Sequence, residues 1–507
     1  MDSNDFIILT GRLERESDDN PQLHRLKVAL VAALGFAPLL LFGIVLLISL
    51  IAVVHGVLTE GHPSVLALTT AIVCTVVLGV LVQSLAIELG APAGREITSE
   101  EAPALFAAID DVIERTQVTI KGKVRPVTID SVVLDGSFEV RMHQLPDWGV
   151  FGRYHNHLQI GVPLLAALNI AELKAMLAHE LGHLGREHER FEAWIYRQRV
   201  VWRALQDKYD HPTSTIDRVL ARFYAPYALY FHAYSFVLAR RLEYSADRVA
   251  AKATHPGALA NALTKIALMG RFLEEVYWPR FMAQVEQSPE PPYMPFAMLP
   301  RAFGLGQKQW SRQDWLDRSL RTFPTEGDTH PSLGERFAAL NILPAPPSYA
   351  PDRSALSLFG RGSQDALKWC DDEWRRENGP AWRKRHRDIK EIRWKIAEYE
   401  RAQAAAELKA EDLWQKALLI LDLGEYERAI EELQFLVARE PTMAKAHLLL
   451  GKLLLQHGNE IGLESLALAA KHDQQMVEDA AGTGYNYLLH RGRKPEAQRF
   501  WDRVCAA

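Results

Sequence analysis

The sequence predicts a mainly α-helical protein in three parts: an N-terminal transmembrane helical hairpin, a central α+β domain with a small sheet, and a C-terminal α-helical repeat domain. Three observations predict this organisation. Two long apolar stretches near the N-terminus carry no charge, a strand-like segment directly precedes a capped amphipathic helix, and a Leu-x-x-Gly pattern recurs every 34 residues near the C-terminus. The predicted boundaries are a leading segment at 1–27, the hairpin at 28–88, the central domain at 89–342, a linker with a charged helical segment at 343–408, and the repeats at 409–507.

Length and composition narrow the class of protein. A chain of 507 residues suits two to four domains, and its net charge of −5 gives no global field that would attract nucleic acid. The three cysteines, Cys74, Cys370 and Cys505, are scattered along the chain. They fit a reducing compartment and exclude both a disulfide framework and a local thiolate metal site.

The N-terminal hairpin is predicted from two uncharged stretches, Val28–Val54 and Ser64–Ile87, each long enough to cross the roughly 30 Å hydrocarbon layer as a helix. A signal peptide is the alternative for the first stretch, but its apolar run is too long and a second one follows at once. The loop at 55–63 contains no Lys or Arg, whereas basic residues lie on the other side of both spans: Arg12, Arg15, Arg25, Lys27 and Arg95. We therefore expect an integral protein of the cell inner or plasma membrane with its central and C-terminal domains in the cytoplasm.

The central domain opens with a predicted amphipathic helix at 101–117 and a strand at 125–134. The segment at 157–162, HLQIGV, alternates apolar and polar residues and is a further predicted strand. It ends shortly before Asn169, which together with Glu172 predicts a capping box at the start of a helix. A strand is therefore expected to lead directly into this helix.

That helix carries the motif AHELGHL, in which His179 and His183 are four residues apart. Residues at this spacing lie about 40° apart around a helix, so both imidazoles can reach one zinc ion, and Glu180, about 100° away, can address a water bound to it. A catalytic zinc takes three protein ligands and leaves a position for water. The alternative is a solvated face with two ordinary histidines. The surrounding helix is otherwise apolar, which favours the metal site because buried imidazoles and carboxylates need partners.

Two residues compete for the position of third ligand. His188 lies near the motif, but the extended histidine motif needs a histidine one residue later, and on a continuing helix His188 points about 140° away from His183. Glu243 is the preferred candidate because Asp247, one turn further, can orient a ligating histidine. Without the histidine motif, the same stretch is typical of a surface helix with salt bridges.

Three motifs in this order, HELGH, RRLEYSAD at 240–247 and THPSLGER at 329–336, resemble the HtpX and CAAX prenyl protease family of membrane metallopeptidases, metallopeptidase family forty-eight. The resemblance covers roughly residues 95–342 and implies a gluzincin-type domain that cleaves protein or peptide substrates, with membrane protein quality control as the biological setting. It implies one Zn²⁺ per chain. The residues it implicates are His179, His183 and Glu243 as ligands, Glu180 as general base, Asp247 in support, His330 at the oxyanion and Arg336 as a brace.

A strand beside the metal of a peptidase can bind an extended substrate by backbone pairing. We expect Gln159, Ile160 and Gly161 to form such a substrate-binding edge strand; an ordinary internal strand fits the alternation equally well.

A third apolar stretch, Val219–Ala239, contains seven aromatic residues and one Arg. It fits a buried or interfacial helix better than a membrane-contacting one.

The C-terminal region is predicted from its period. Leu-x-x-Gly recurs at 421–424, 455–458 and 489–492, and the spacing of 34 residues is that of tetratricopeptide repeats, with an unrelated helical bundle as the alternative. Such repeats form a concave surface that binds an adaptor protein or the substrate. This region can instead be a lid or brace on the catalytic domain.

Two functions follow from these features. The first is a membrane-anchored zinc endopeptidase that acts on protein substrates and contacts membrane lipid, without a nucleic-acid partner. The alternative is a catalytically inactive, membrane-tethered repeat scaffold for protein interaction. All the residues that the chemistry requires are present, which favours the enzyme.

Overall fold

The computed structural model describes residues 3–85, 90–117, 127–148, 151–184, 190–210, 215–321 and 330–506. The chain forms two compact units. The first comprises residues 1–281 and 293–374, and the second comprises residues 282–292 and 375–507.

Four helices open the first unit: α1 (Ser3–Asp19), α2 (Pro21–Leu34), α3 (Ala37–Glu60) and α4 (Val65–Leu85). Within the described residues, two segments are long and apolar enough to cross a membrane, Ala37–Glu60 and Val65–Gln83. Only 6% and 17% of their apolar windows are buried inside the protein, which distinguishes them from core helices of a soluble domain.

The first apolar helix begins later than the sequence predicted, at Ala37 instead of Val28. Val28 and Ala32 lie on α2 and are buried in an aromatic cluster with Trp202. The chain breaks at Gly35, where a Cβ atom would lie 2.6 Å from the Trp202 ring, so this close approach requires glycine. One face of the first third of the apolar run thus packs on protein.

Within the part of the chain that the structure describes, the sheet has four strands in the order β1-β2-β4-β3. Their bounds are β1 (Arg95–Ile97), β2 (Ser131–Asp135), β3 (Val140–Trp148) and β4 (Phe151–Gly161). β4 pairs in parallel with β2 and antiparallel with β3, and β1 pairs antiparallel with β2. β3 is therefore an edge strand, and β4 is internal.

Helices cover the sheet and build the core of the first unit. α5 (Pro103–Gln117), α6 (Val162–Ala167) and α7 (Ile170–His183) pack in one apolar cluster with the sheet, and the fully buried α6 follows β4 directly. The helices that follow α7 in the chain are α8 (Arg190–Asp210), α9 (Thr215–Ala253), α10 (Pro256–Phe272), α11 (Trp278–Met282), α12 (Leu299–Trp310), α13 (Gln313–Arg321) and α14 (Leu333–Leu340). A π-helical turn, Leu273–Tyr277, separates α10 from α11.

The long helix α9 contains the stretch Val219–Ala239. Its residues Tyr224, Tyr227 and Phe231 are buried in the cluster with Trp202 of α8, as the buried-helix interpretation expects. Val219 and Tyr230 are exposed on the opposite face. Further along, α9 packs closely on α7, because Gly182 of α7 has no side chain to keep the two backbones apart.

The segment after α14 packs on the first unit, whereas the sequence predicted a linker from residue 343. Ala355 donates its backbone N–H to the Leu168 carbonyl at 2.7 Å. The Tyr349 hydroxyl donates to the Ala166 carbonyl at 3.0 Å, and the Asp371 carboxylate accepts the Phe296 N–H at 2.7 Å. The compact unit accordingly continues to Trp374.

Helix α15 (Ser363–Ala405) continues from the first unit into the second. The second unit then contains three helical hairpins, formed by α16 (Ala410–Asp422), α17 (Tyr426–Arg439), α18 (Ala444–Gln456), α19 (Gly462–His472), α20 (Val477–His490) and α21 (Lys494–Cys505). Each hairpin turns at a glycine with positive φ: Gly424 at 78°, Gly458 at 76° and Gly492 at 73°. This left-handed conformation explains the glycine in each Leu-x-x-Gly pattern.

Candidate metal centre

The two motif histidines lie on the last turns of α7. The Asn169 side chain accepts the Glu172 N–H at 2.9 Å, and the Glu172 carboxylate accepts the Asn169 N–H at 2.8 Å, so the capping box fixes the start of the helix. Glu172 also forms a buried ion pair with Lys265 of α10 at 2.8 Å. A rigid helix therefore presents His179 and His183, which are both buried.

Helix α9 brings a carboxylate to the same place. A Cβ atom on Gly182 would lie 2.9 Å from the Ala246 Cα, so α7 and α9 approach within backbone contact. As a result, Glu243 is buried against the histidines, with 3.4 Å from its Oε2 to His179 Nε2 and 3.4 Å from its Oε1 to His183 Nε2. The two Nε2 atoms are 3.2 Å apart.

These distances suit a single metal ion. Atoms bound at 2.0–2.1 Å to a common tetrahedral centre lie roughly 3.3 Å from one another. Glu243 Oε2 is buried and accepts no hydrogen bond from the described part of the chain, and an unpaired buried carboxylate oxygen is costly without a cation. The two nitrogens and one carboxylate therefore fit a divalent metal.

A second carboxylate orients His179 from behind. Asp247 Oδ1 lies 2.9 Å from His179 Nδ1. An N–H on Nδ1 that donates to Asp247 leaves the Nε2 lone pair directed at Glu243 and His183. Arg336 donates to both Asp247 oxygens, at 2.5 and 2.8 Å, so the buried aspartate is held on two sides.

The protonation of the metal-free cluster follows from these contacts. Burial lowers the pKa of His179 and is the largest single influence, but the adjacent carboxylates of Asp247 and Glu243 outweigh it and raise this pKa to about 9. Burial lowers the pKa of His183. Burial raises the pKa of Glu243, and the nearby His183 and His179 more than reverse this effect and hold it well below the usual range. The metal-free cluster thus holds a proton on His179 where a cation can replace it.

Glu180 occupies a different position from the three donors. Its Oε2 accepts the backbone N–H of Met142, on the edge strand β3, at 2.8 Å. One potential ligand atom each from His179, Glu180 and His183 lies within 4.8 Å of the others. Glu180 therefore stands next to the metal position while the sheet edge holds one of its oxygens.

His330 lies at the mouth of the site. Its side chain is 60% exposed, and its Nε2 is 3.8 Å from Glu243 Oε1. It lies three residues before α14, whose start is fixed by a capping box of Ser332 and Glu335. Arg240 forms an ion pair with Glu335 at 2.5 Å. The first turn of α14 presents Arg336 to Asp247.

A cleft of about 450 Å³ opens over these residues. One wall is the beginning of β3, another is α10, and the motif helix forms the floor. The residues that line it are Phe138, Glu139, Val140, Arg141, Met176, His179, Glu180, His183, Leu263, Ile266, Ala267, His330, Pro331, Leu333 and Arg336.

Seven residues that the sequence singled out lie together here: His179, Glu180, His183, Glu243, Asp247, His330 and Arg336. The competing ligand candidate, His188, and the first residue of the third motif, Thr329, lie outside the described residues.

The predicted edge strand needs a correction. Gln159, Ile160 and Gly161 lie on β4, whose backbone is paired with β2 on one side and β3 on the other. Gln159 contacts His143 and Asp135 through its side chain, and Ile160 is fully buried. These residues have no open backbone edge, and β3 is the strand beside the site. The contact of Met142 with Glu180 has no counterpart in the sequence motifs, because it depends on which strand lies at the edge.

Comparison with known proteins gives one family. Residues 150–343 match the model of peptidase family M48. This match supports the M48 metallopeptidase family and a metallopeptidase function in general, and it contains the residues of all three motifs. No curated protein matches the chain, and no solved structure matches it.

Proposed function

We propose that the chain is a membrane-anchored, zinc-dependent endopeptidase that hydrolyses peptide bonds of protein substrates. One observation carries the proposal: the Nε2 atoms of His179 and His183 lie 3.2 Å apart, each is 3.4 Å from one oxygen of the buried Glu243 carboxylate, and Glu180 stands beside them. The match to the M48 peptidases supports the same class of reaction.

Zinc is the metal that this donor set suits best. Two imidazoles and one carboxylate are ligands of catalytic zinc sites, whereas magnesium and calcium prefer oxygen ligands throughout. When bound, zinc supplies a Lewis acid that activates water and polarises a carbonyl. His179, His183 and Glu243 would hold it, one ion per chain.

Glu180 is the proposed general base. The Met142 N–H holds its Oε2, so Oε1 is the atom that we assign to take a proton from the attacking water. The same carboxyl group then returns the proton to the leaving amine. Glu180 thus acts first as a base and then as an acid, and its position beside the metal allows both proton transfers.

His330 and Arg336 have supporting roles in the proposal. The His330 ring, exposed at the mouth and 3.8 Å from Glu243, can donate a hydrogen bond to the oxyanion that develops on the substrate carbonyl. Arg336 acts through Asp247, which fixes the ring of His179. Arg336 is therefore a positioning residue.

The open edge of β3 is the proposed substrate-binding strand. The Glu139 carbonyl accepts the Gly161 N–H of β4, so by alternation the backbone groups of Val140, Met142 and Gln144 point away from β4. The Met142 N–H is bonded to Glu180, so at this residue the carbonyl is the group that can pair with a peptide. An extended peptide can pair with this edge and so lie across the cleft. Val140 lines the cleft itself.

The proposal extends to location and partners. The two apolar helices support membrane anchoring, and the distribution of Lys and Arg supports a cytoplasmic position for both units. The resemblance to HtpX and the prenyl proteases supports a role in membrane protein quality control. The three hairpins and their 34-residue period support tetratricopeptide repeats that recruit an adaptor or the substrate.

The test uses the full-length chain purified in detergent. We expect about one zinc per chain, cleavage of an unfolded protein, loss of cleavage on chelation, and recovery when zinc is added back. A chain that holds zinc and cleaves no peptide bond would be the inactive scaffold. A chain that holds no metal would contradict the proposed centre itself.

A further inference from the structure

A second cavity, of about 330 Å³, adjoins the metal cleft. Two side chains, Phe138 and Ile266, line both spaces, so the cavity opens beside the cleft. It is distinct from the metal site, because none of the three donors, Glu180 or His330 contributes to its walls. The full lining is Gly136, Phe138, Pro163, Ile266, Gly270, Leu273, Glu274, Trp278 and Leu299.

Most of the side chains that line this cavity are apolar. Phe138 is fixed by the Phe303 ring, with 6.0 Å between the ring centroids, and Trp278 is fixed by Phe296 at 5.8 Å. Leu299 is buried in the core. The one charged residue, Glu274, is exposed to solvent, so its charge does not require a partner inside the cavity.

The backbone around the cavity also departs from regular helix. The π-helical turn Leu273–Tyr277 begins at the end of α10 and places Leu273 and Glu274 on the wall. Isolated π-turns of this kind frequently occur at functional sites. Nearby, Gly270 has no side chain, and a Cβ atom there would be in van der Waals contact with the Phe138 ring, at 3.5 Å.

We infer that this cavity is a specificity pocket that binds one large aromatic side chain of the substrate, close to the bond that is cut. The inference rests on the proposed peptidase function. Residues 136–138 lead directly into the cleft strand, so a peptide paired with the open edge of β3 passes from the cavity to the metal position. Successive side chains of a strand point to opposite faces, so one residue near the scissile bond faces the cavity.

The volume determines the class of side chain. An apolar protein cavity of about 150 Å³ binds benzene, so about twice that volume accommodates an indole or phenyl ring with its methylene group. A small side chain would leave most of the cavity unfilled and would gain little from its apolar walls. The pocket therefore favours tryptophan and phenylalanine over alanine.

The experiment compares peptides that differ at one position. Matched fluorogenic peptides carry Trp, Phe, Leu, Ala, Lys or Asp at each position beside the scissile bond, and mass spectrometry identifies the bond cleaved by the full-length, zinc-loaded chain. We expect kcat/KM for the Phe or Trp peptide to exceed that of the Ala peptide at least about tenfold at one position. Equal values at every position, or a preference for Lys, would overturn the inference.

A variant tests the assigned pocket directly. Gly270→Met places a long side chain between α10 and Phe138, so the ratio of kcat/KM for Phe over Ala should fall at least about tenfold. Gly304→Met is the matched control: it also lies on a helix, does not line the cavity, and has no atom closer than 3.7 Å to its ideal Cβ. A Gly270→Met chain that keeps the parental ratio would show that the specificity arises elsewhere.

Binding separates this inference from the proposed function. Calorimetry with the Glu180→Gln chain measures the affinity for Phe and Ala peptides without cleavage, and the same measurement is made after adding Gly270→Met. If no chain cleaves any peptide, the proposed function fails, and the pocket is then judged by binding alone. Tighter binding of the Phe peptide that Gly270→Met abolishes supports the pocket, and equal binding of both peptides contradicts it.

Discussion

Asp247→Asn separates the stability of the buried cluster from its affinity for zinc. In the parent, Asp247 holds His179 Nδ1 at 2.9 Å and receives two hydrogen bonds from Arg336. Both carboxylate and guanidinium are buried, so neutralising the aspartate leaves the Arg336 charge uncompensated. Breaking a buried pair in this way costs about 3–5 kcal/mol, and we expect the lower end because the Asn oxygen still accepts one hydrogen bond.

The expected loss of zinc affinity is calculated separately. Replacing the residue that orients a metal-ligating histidine costs about 10–100-fold in affinity, or about 1.4–2.7 kcal/mol. Asp247→Asn combined with Arg336→Met removes the uncompensated charge. This double variant should recover a large part of the stability while zinc affinity remains low, since the neutral Asn oxygen makes His179 a less basic ligand than the carboxylate does.

The assay is a zinc competition titration with a chromophoric chelator, together with denaturant unfolding of the metal-free protein in detergent. Glu172→Gln is the matched control, because it breaks the other buried ion pair of the motif helix, with Lys265, away from the donors. This control should lose stability and keep its zinc affinity. Parental zinc affinity in Asp247→Asn would refute the argument that Asp247 orients His179.

Three further predictions follow. Glu243→Ala should lower zinc content sharply and His188→Ala should leave it nearly unchanged, because Glu243 lies within 3.4 Å of both motif histidines; metal analysis with the opposite ranking would reverse the ligand assignment. The pKa of His179 is about 9 in the folded, metal-free protein and 6.5 in the unfolded chain, so its protonation stabilises the fold. This stabilisation is complete below pH 6.5 and is lost as the pH rises to about 9. The melting temperature of the metal-free protein should therefore fall across that window, zinc binding near pH 7.5 should release about one proton, and calorimetry in two buffers that finds no release would contradict this protonation. A chain ending at residue 345 should unfold or aggregate because it loses the contacts of Tyr349, Ala355 and Asp371, whereas a chain ending at Trp374 should keep zinc; thermal unfolding and zinc content of both chains test this, and a stable shorter chain would show that those contacts are dispensable.

The motif helix could be predicted from sequence because its determinants are local. Asn169 and Glu172 lie within one turn of each other, and the spacing of His179 and His183 defines one helix face. The position of Glu243 depends on contacts that are distant in sequence, since the close packing of α7 and α9 at Gly182 brings it to the histidines. The motif that contains Glu243 and Asp247 identified Glu243 as a ligand candidate. Its distances to His179 and His183 depend on the fold.

Strand order could not be predicted in the same way. The alternation at 157–162 predicts which side chains share a face, but it carries no information about which neighbours the strand has. β4 pairs with both β2 and β3, so the edge belongs to β3. The link from Met142 to Glu180 was missed for the same reason.

Composition also misplaced two boundaries. Val28 and Ala32 are as apolar as the residues of a membrane span, yet they pack on Trp202, and hydropathy does not distinguish protein from lipid as the apolar neighbour. The Pro-rich segment after residue 341 has the composition of a linker, yet Tyr349 and Ala355 bond to the segment between β4 and the motif helix. In both cases the deciding contacts are distant in sequence.

The most direct test of the central claim compares the parent chain with Glu180→Gln, both loaded with zinc. Glu180 is not one of the three close donors, so the variant should bind zinc with parental stoichiometry and fold normally. Without the carboxylate that takes the proton, its cleavage of an unfolded protein should fall at least about a hundredfold. A zinc-loaded Glu180→Gln chain that cleaves at the parental rate would contradict the proposed chemistry.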